Sequence, residues 1–252
     1  MTRRDILEET HWSLGTILAE HHVCQHCHEV YKDQNQTAVG MACQRCGTAN
    51  TDGLHGYFDI SVWSLINLMQ EFYHKDGKVQ PSSAGTQRDS NSALAVVIFF
   101  ATLREVLLKH FLTEIMIAQR LTVPLSSCLF DDNQSHSQML NNLFPALTGG
   151  VKWKHALNLV HSKLTFDPIN LNNFLIAVAD ARNSFLHDGS HWKIKKELAE
   201  QCMLRIPEIL ELYVALHNEY VPAYYHKTKS SNIAADTILE PVMGANSSAH
   251  QD

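Results

Sequence analysis

The chain has 252 residues, of which 45% are hydrophobic and 18% charged, enough apolar material for one large or two small domains. Its formal net charge of −6 argues against a surface that coats nucleic acid broadly, although it does not exclude a local basic cleft. No apolar signal-peptide segment follows the first residues, and the most apolar run, 93–103, is too short to span a bilayer, so we expect a cytoplasmic protein.

The first element in chain order is a helix predicted over residues 4–20, and two Cys-x2-Cys pairs follow it. The pairs are formed by Cys24, Cys27, Cys43 and Cys46. This spacing is typical of a structural zinc site in which four thiolates close a tetrahedron. Disulfides are the alternative, but paired cysteines in an intracellular protein favour metal.

The residues around these pairs predict a small β module. Strand-forming residues at 30–31 and 39–41 suggest a hairpin between the pairs, and Gly47 stands where a tight turn favours glycine. The pattern resembles a zinc ribbon within residues 1–55. Because four cysteines leave no open coordination position, one Zn²⁺ per chain would fold the module and would not activate water. His26 and His28 are alternative ligands.

Beyond residue 57 the apolar residues recur at helical spacing, without any alternation of strands and helices. The fold class is therefore mainly α, a helical bundle over residues 56–225 preceded by the cysteine module, with a disordered tail at 226–252. A helix at 91–121 is apolar nearly all round and should lie centrally. The other predicted helices are 57–74, 135–144, 151–163, 167–187 and 193–220, with a loop at 76–90.

The helix predicted from Asp167 to His187 ends in a group of polar residues. Aspartate and proline favour its start, and Gly189 can adopt the left-handed conformation that ends it. Near that end lie Arg182, whose planar guanidinium suits phosphate, Asn183, and His187, which can exchange a proton near neutral pH. These groups suit phosphodiester cleavage without a metal. The alternative is that they cap the helix or are simply solvated.

The end of this helix resembles the Arg-x4-6-His motif of HEPN domains: Arg182 and Asn183 are followed by three further residues and then by His187. The resemblance implies a four- to five-helix bundle. Many members of this family are metal-independent endoribonucleases of toxin and antiviral defence systems. It also implies a homodimer, since the family builds its cleft from two facing motifs. Gly189 stands where one toxin branch has a tyrosine, so silencing by tyrosine modification is not implied.

The resemblance further implies a mechanism. His187 would act as general base or acid, Arg182 would stabilise charge on the phosphate, and Asn183 would orient either group. Attack by the ribose 2′-hydroxyl would leave 2′,3′-cyclic phosphate ends, which requires RNA. Glu105 occupies the long preceding helix, where the family often has an acidic residue. It could pair with Arg182 or, locally, with Lys109.

Two clusters of lysine and tryptophan are candidates for binding RNA. One comprises Trp192, Lys193, Lys195 and Lys196; the other comprises Lys152, Trp153, Lys154 and His155. Lysines neutralise phosphate and an exposed indole can stack on a base, although a solvated face with a buried tryptophan is the alternative. The first cluster is preferred because it follows the motif directly.

Two other functions compete with the ribonuclease. In the first, an inactive HEPN-like bundle serves for dimerisation or for binding RNA or protein, with the zinc ribbon as adaptor, and a regulatory protein is a candidate partner. The second, a zinc-dependent hydrolase, would need an open ligand set such as His-Glu-x-x-His, which the sequence lacks. We therefore expect no catalytic metal.

Overall fold

The structure is a computed structural model that describes residues 21–32, 42–43, 45–49, 56–75, 85–189 and 193–238. The predicted helix at 4–20 and the predicted strand at 39–41 lie outside the described residues. The described chain is mainly helical, as predicted. Its strands are β1 (His21–Val23) and β2 (Val30–Lys32), and its helices are α1 (Ile60–Lys75), α2 (Gly85–Ala118), α3 (Val123–Asp132), α4 (His136–Gln138), α5 (Phe144–Leu147), α6 (Trp153–Val160), α7 (Pro168–Asp188), α8 (Lys196–Leu204) and α9 (Ile206–Ile238).

Helix α2 is the centre of the bundle, as its apolar residues predict. It packs against α1, α7, α8 and α9. The buried bulky side chains of α2, among them Phe100, Leu103, Leu107, Leu108 and Phe111, belong to a broad face of the helix. A face this broad can be buried only when several neighbouring helices pack against it.

Helix α7 has the predicted boundaries and predicted caps. The Asp167 carboxylate accepts a hydrogen bond of 2.8 Å from the Ile169 amide, and Gly189 has φ +64° and ends the helix. Its buried residues, Leu171, Leu175, Val178 and Ala181, form one face. Near its C-terminal end, Asn183 and His187 are exposed, whereas Arg182 is partly buried.

Several helices differ from the sequence predictions. The helix predicted at 193–220 is two helices, because Arg205 ends α8 and α9 begins anew with Pro207 in its first turn, where its missing N–H is tolerated. Helix α9 continues to Ile238, into the predicted tail, and α2 begins at Gly85, within the predicted loop. Helix α3 was not predicted.

The segment predicted as a helix at 135–144 is more complex. It consists of α4, a π-helical turn at Met139–Leu143 and α5, which continues to Leu147. Ser135 and Gln138 form a capping box that starts it. A 3₁₀ turn at His161–Lys163 likewise follows α6.

The β module is a two-stranded antiparallel sheet docked on α9. Val30 of β2 pairs in register with Val23 of β1, so the partner of β2 in the structure is β1. On the other edge of β2, Asn218 of α9 accepts a 2.7 Å hydrogen bond from the Val30 amide and donates a 2.6 Å bond to the Val30 carbonyl. This side chain satisfies the backbone groups that an edge strand otherwise leaves open.

A second contact reinforces this docking. His217 is fully buried, and its Nε2 lies 2.8 Å from the carbonyl oxygen of His28. Burial lowers the pKa of His217 to about 4, so its ring is neutral at pH 7. The ring of His28 stacks on Tyr225 at a centroid distance of 3.5 Å.

Candidate functional site

The two cysteine pairs lie in two turns of the same shape. In each turn the amide of the fifth residue, counted from the first cysteine, donates to that cysteine's carbonyl: His28 to Cys24 and Gly47 to Cys43, both at 2.8 Å. These two residues have positive φ, +60° for His28 and +70° for Gly47. The glycine predicted for the second turn is therefore matched by a strained histidine in the first.

The geometry of the four sulfurs fits a tetrahedral metal ion. The Sγ atoms of Cys24, Cys27, Cys43 and Cys46 all lie within 4.8 Å of one another, with 3.8 Å from Cys24 to Cys46 and 3.5 Å from Cys27 to Cys43. Zinc–thiolate bonds of about 2.3 Å would place tetrahedral sulfurs roughly 3.8 Å apart. The four cysteines could therefore hold one metal ion. His26 and His28 do not belong to this set.

A cleft of about 1100 Å³ opens beside α2 and α7, with the α4–α5 segment and the start of α6 forming its other sides. It brings together three of the predicted catalytic residues, Glu105, Arg182 and Asn183. Its charged lining comprises the basic residues Arg104, Lys109, Lys152, Lys154 and Arg182, with the acidic residues Glu105 and Asp180. The cleft is thus locally basic on a chain whose net charge is negative.

Glu105 and Arg182 form an ion pair across the cleft from α2 to α7. The sequence offered both Arg182 and Lys109 as partners of Glu105, and in the structure Glu105 pairs with Arg182. The two side chains are 37% and 22% exposed, so the pair contributes little stability, up to about 1 kcal/mol, and mainly fixes the guanidinium. The Nε atom of Arg182 is buried without a hydrogen-bond partner.

The cleft also contains two groups that the sequence analysis missed, Arg104 and His136. Arg104 is buried, with Nη1 donating to the Leu175 carbonyl at 3.1 Å and Nη2 lying 3.0 Å from His136 Nδ1. Since arginine has no acceptor, Nδ1 of His136 must accept, which places the ring proton on Nε2. Both neighbours of the Arg104 guanidinium in these bonds are uncharged.

The protonation of His136 follows from this environment. Burial and then the charges of Arg104 and Arg182 lower the pKa of His136 to about 3. The imidazole is therefore neutral near pH 7 and does not cancel the positive charge beside it. Two sequence signals could have identified Arg104 and His136. Arg104 lies within the most apolar predicted helix, and His136 directly follows the capping residue Ser135.

The structure places His187 outside the cleft. It is exposed in the last turn of α7 and is not part of the lining, whereas Asn183, one turn earlier, is. Arg182 and His187 are five residues apart, which rotates them by roughly 140° about the helix axis. On a regular helix His187 therefore lies on a different side of α7 from Arg182, and it is not part of the lining that includes Arg182.

The predicted lysines beyond α7 are likewise not part of the cleft lining. Lys193 Nζ donates to Ser184 Oγ at 2.8 Å, and Lys196 lies 4.0 Å from Glu200. Lys195 is the exposed N-cap of α8. Trp192 lies outside the described residues. By contrast, Lys152, Trp153 and Lys154 of the other cluster all line the cleft.

Comparisons of the chain with models of protein families, with curated proteins and with solved structures found no match. Within the described part of the chain, no helix has the length and apolarity needed to cross a bilayer. The assignment of a function consequently depends on the chemistry of the cleft and of the cysteine cluster.

Proposed function

We propose that the protein is a metal-independent endoribonuclease of the HEPN type, which cleaves RNA by attack of the 2′-hydroxyl and leaves 2′,3′-cyclic phosphate ends. The observation that supports this proposal is the cleft itself. Arg182, which is fixed by Glu105, and the next residue, Asn183, both line a basic cleft. The helix that carries them ends one turn later, close to the exposed His187.

Each group has a role that its chemistry allows. Arg182 would bind the scissile phosphate and stabilise the charge that develops there, since its planar fork suits phosphate oxygens. Asn183 would orient the phosphate or the histidine. His187 would transfer the proton of the 2′-hydroxyl or of the leaving oxygen. Glu105 is a positioning residue that acts through Arg182.

We further propose that two copies pair along α7 to complete the site. His187 is exposed and lies outside its own protomer's cleft, so a second copy would have to deliver it. The exposed face of α7 that this pairing would cover includes Ile176, Ala177 and Asp180 as well as Asn183. In a two-fold interface both copies use the same surface, so that if one residue contacts a second residue of the other copy, the reverse contact also forms.

The first test is cleavage of single-stranded RNA in EDTA by the wild type, Arg182→Ala and His187→Ala. We expect 2′,3′-cyclic ends from the wild type and a loss of 10²-fold or more in either variant, the scale of acid–base and charge-stabilising groups. His161→Ala, which removes an exposed histidine that is not part of the cleft lining, is the matched control and should cleave normally. Full activity in the His187 variant would refute the mechanism.

Complementation tests the composite site. Mixing Arg182→Ala with His187→Ala forms some dimers in which one wild-type arginine and one wild-type histidine come from different chains. If the site is shared between protomers, the mixture should regain activity that neither variant has alone. If both groups act within one chain, the mixture stays inactive.

A second candidate function is an HEPN-like bundle that binds RNA or protein without cleaving it, and the absence of His187 from the cleft lining favours it. In that case wild-type protein would bind RNA and leave it intact, with affinity that depends on Arg182 and not on His187. The cleavage assay and a binding titration on the same preparations distinguish the two functions.

For the cysteine cluster we propose one structural Zn²⁺. The support is the set of four thiolate donors at tetrahedral spacing, because sulfur-only sites favour zinc over harder cations. The ion would hold the two turns together, and the module would dock a partner or RNA. Metal analysis of the purified protein should find about one zinc per chain.

A further inference from the structure

The wall of the cleft at the start of α6 differs chemically from the part that contains Arg182. Trp153, half-buried at the start of α6, lines this wall together with Lys152 and Lys154, and Lys109 of α2 lines the cleft as well. None of these three lysines takes part in an ion pair within the described residues. An aromatic ring among cations is the combination that binds single-stranded nucleic acid.

The indole of Trp153 is held in a fixed orientation. Its Nε1 donates a 3.1 Å hydrogen bond to Asn172 of α7, and its ring lies perpendicular to that of Phe144 at a centroid distance of 5.3 Å. A ring that is already fixed loses little freedom when a base stacks on it, which favours binding. Asn172 also lines the cleft and links this wall to the motif helix.

Arg104 makes the interior of the cleft favourable for anions. Its charge is buried, and its guanidinium donates to a carbonyl and approaches a histidine that is neutral near pH 7. A buried cation without a carboxylate in direct contact retains a positive field in its surroundings. Phosphates that enter the cleft would lie within that field between Arg104 and the lysines.

The size of the cleft is consistent with more than one nucleotide. Pockets that bind drug-sized ligands measure about 300–1,000 Å³, and this cleft measures about 1100 Å³. It therefore has room for a reacting phosphate at Arg182 and for a neighbouring nucleotide.

We propose that Trp153 is a base-binding subsite, on which an unpaired base adjacent to the scissile phosphate stacks while Lys152, Lys154 and Lys109 contact the flanking phosphates. The subsite makes the cleft selective for single-stranded RNA, because a base within a duplex offers no free face for stacking. This inference rests on the proposed ribonuclease function and identifies its substrate as unpaired RNA of at least a few nucleotides.

The test measures binding without cleavage, using a fluorescent 2′-O-methyl decanucleotide, which lacks the attacking hydroxyl, and an oligonucleotide of equal phosphate count with abasic positions. Wild-type protein should bind the base-containing strand at least about five-fold more tightly than the abasic one. Trp153→Leu, which keeps an apolar side chain but has no π face, should lose that preference. Trp153→Phe should retain most of it.

The control is the combined variant Lys193→Ala, Lys195→Ala and Lys196→Ala, whose lysines do not line the cleft. It should keep the preference for bases. The proposal is overturned if Trp153→Leu binds the base-containing strand as tightly as the wild type. If no RNA is ever cleaved but the preference still depends on Trp153, the ribonuclease proposal fails while the subsite stands.

Discussion

Replacing Asn218 by alanine tests the docking of the β module on α9. The variant removes both hydrogen bonds to Val30, at 2.7 Å and 2.6 Å, and leaves the amide and carbonyl of a 2% exposed residue without partners. At the lower end of the cost of an unsatisfied buried group, each loss destabilises by about 1 kcal/mol. Alanine offsets about 0.5 kcal/mol through its higher helix propensity.

The expected net loss is therefore about 1.5 kcal/mol in the free energy of unfolding. The assay is equilibrium urea denaturation followed by far-UV circular dichroism, with metal content measured in parallel. Asn158→Ala is the matched control, since Asn158 is an exposed residue of α6 and its replacement tests helix propensity alone. It should be neutral or slightly stabilising. A loss below about 0.5 kcal/mol for Asn218→Ala would refute the reasoning that this side chain satisfies the edge of β2.

Three further predictions concern the ion pair, the cysteines and a buried histidine. Glu105→Gln should reduce RNA cleavage about ten-fold or more while lowering stability by less than about 1 kcal/mol, whereas Glu219→Gln, which breaks the Lys163–Glu219 surface pair at 2.6 Å, should leave cleavage unchanged. Cys43→Ser should abolish stoichiometric zinc binding and lower the thermal midpoint, and Cys128→Ser, at an exposed cysteine outside the cluster, should do neither. The pKa of His217 is lowered to about 4 in the folded state, so the unfolded chain takes up a proton first as pH falls from 6.5 towards 4. His217 alone should consequently lower stability by roughly 2 kcal/mol between pH 7 and pH 5, in addition to the loss that His136 causes, and the total fall should be smaller in His217→Gln; urea titrations of both proteins at the two pH values would show equal losses if the reasoning is wrong.

Features set by local chemistry could be predicted from the sequence. The start and end of α7 follow from Asp167 and Gly189, whose capping roles depend only on neighbouring backbone. The central position of α2 follows from its apolar circumference. The grouping of four cysteines follows from their spacing, and all four sulfurs do lie together.

Features set by tertiary contacts could not be predicted. Arg104 and His136 are 32 positions apart, and only the packing of α4 beside α2 brings them within 3.0 Å. The sequence favoured Lys193–Lys196 because they follow the motif, but these lysines are not part of the cleft lining, and α6 brings Lys152 and Lys154 to the cleft instead. Helix α3 gave no signal because none of its residues is buried, so it has no core-facing apolar stripe to detect.

The contact between Val30 and Asn218 joins residues 188 positions apart and therefore constrains the order of events during synthesis. The cysteines lie within residues 24–46, so their two turns can close around a metal ion as soon as that short segment has left the ribosome. The outer edge of β2, however, stays open until α9 has been translated. An open strand edge can pair with other chains. Early metal binding would then keep the nascent module compact while it waits for the helix that covers it.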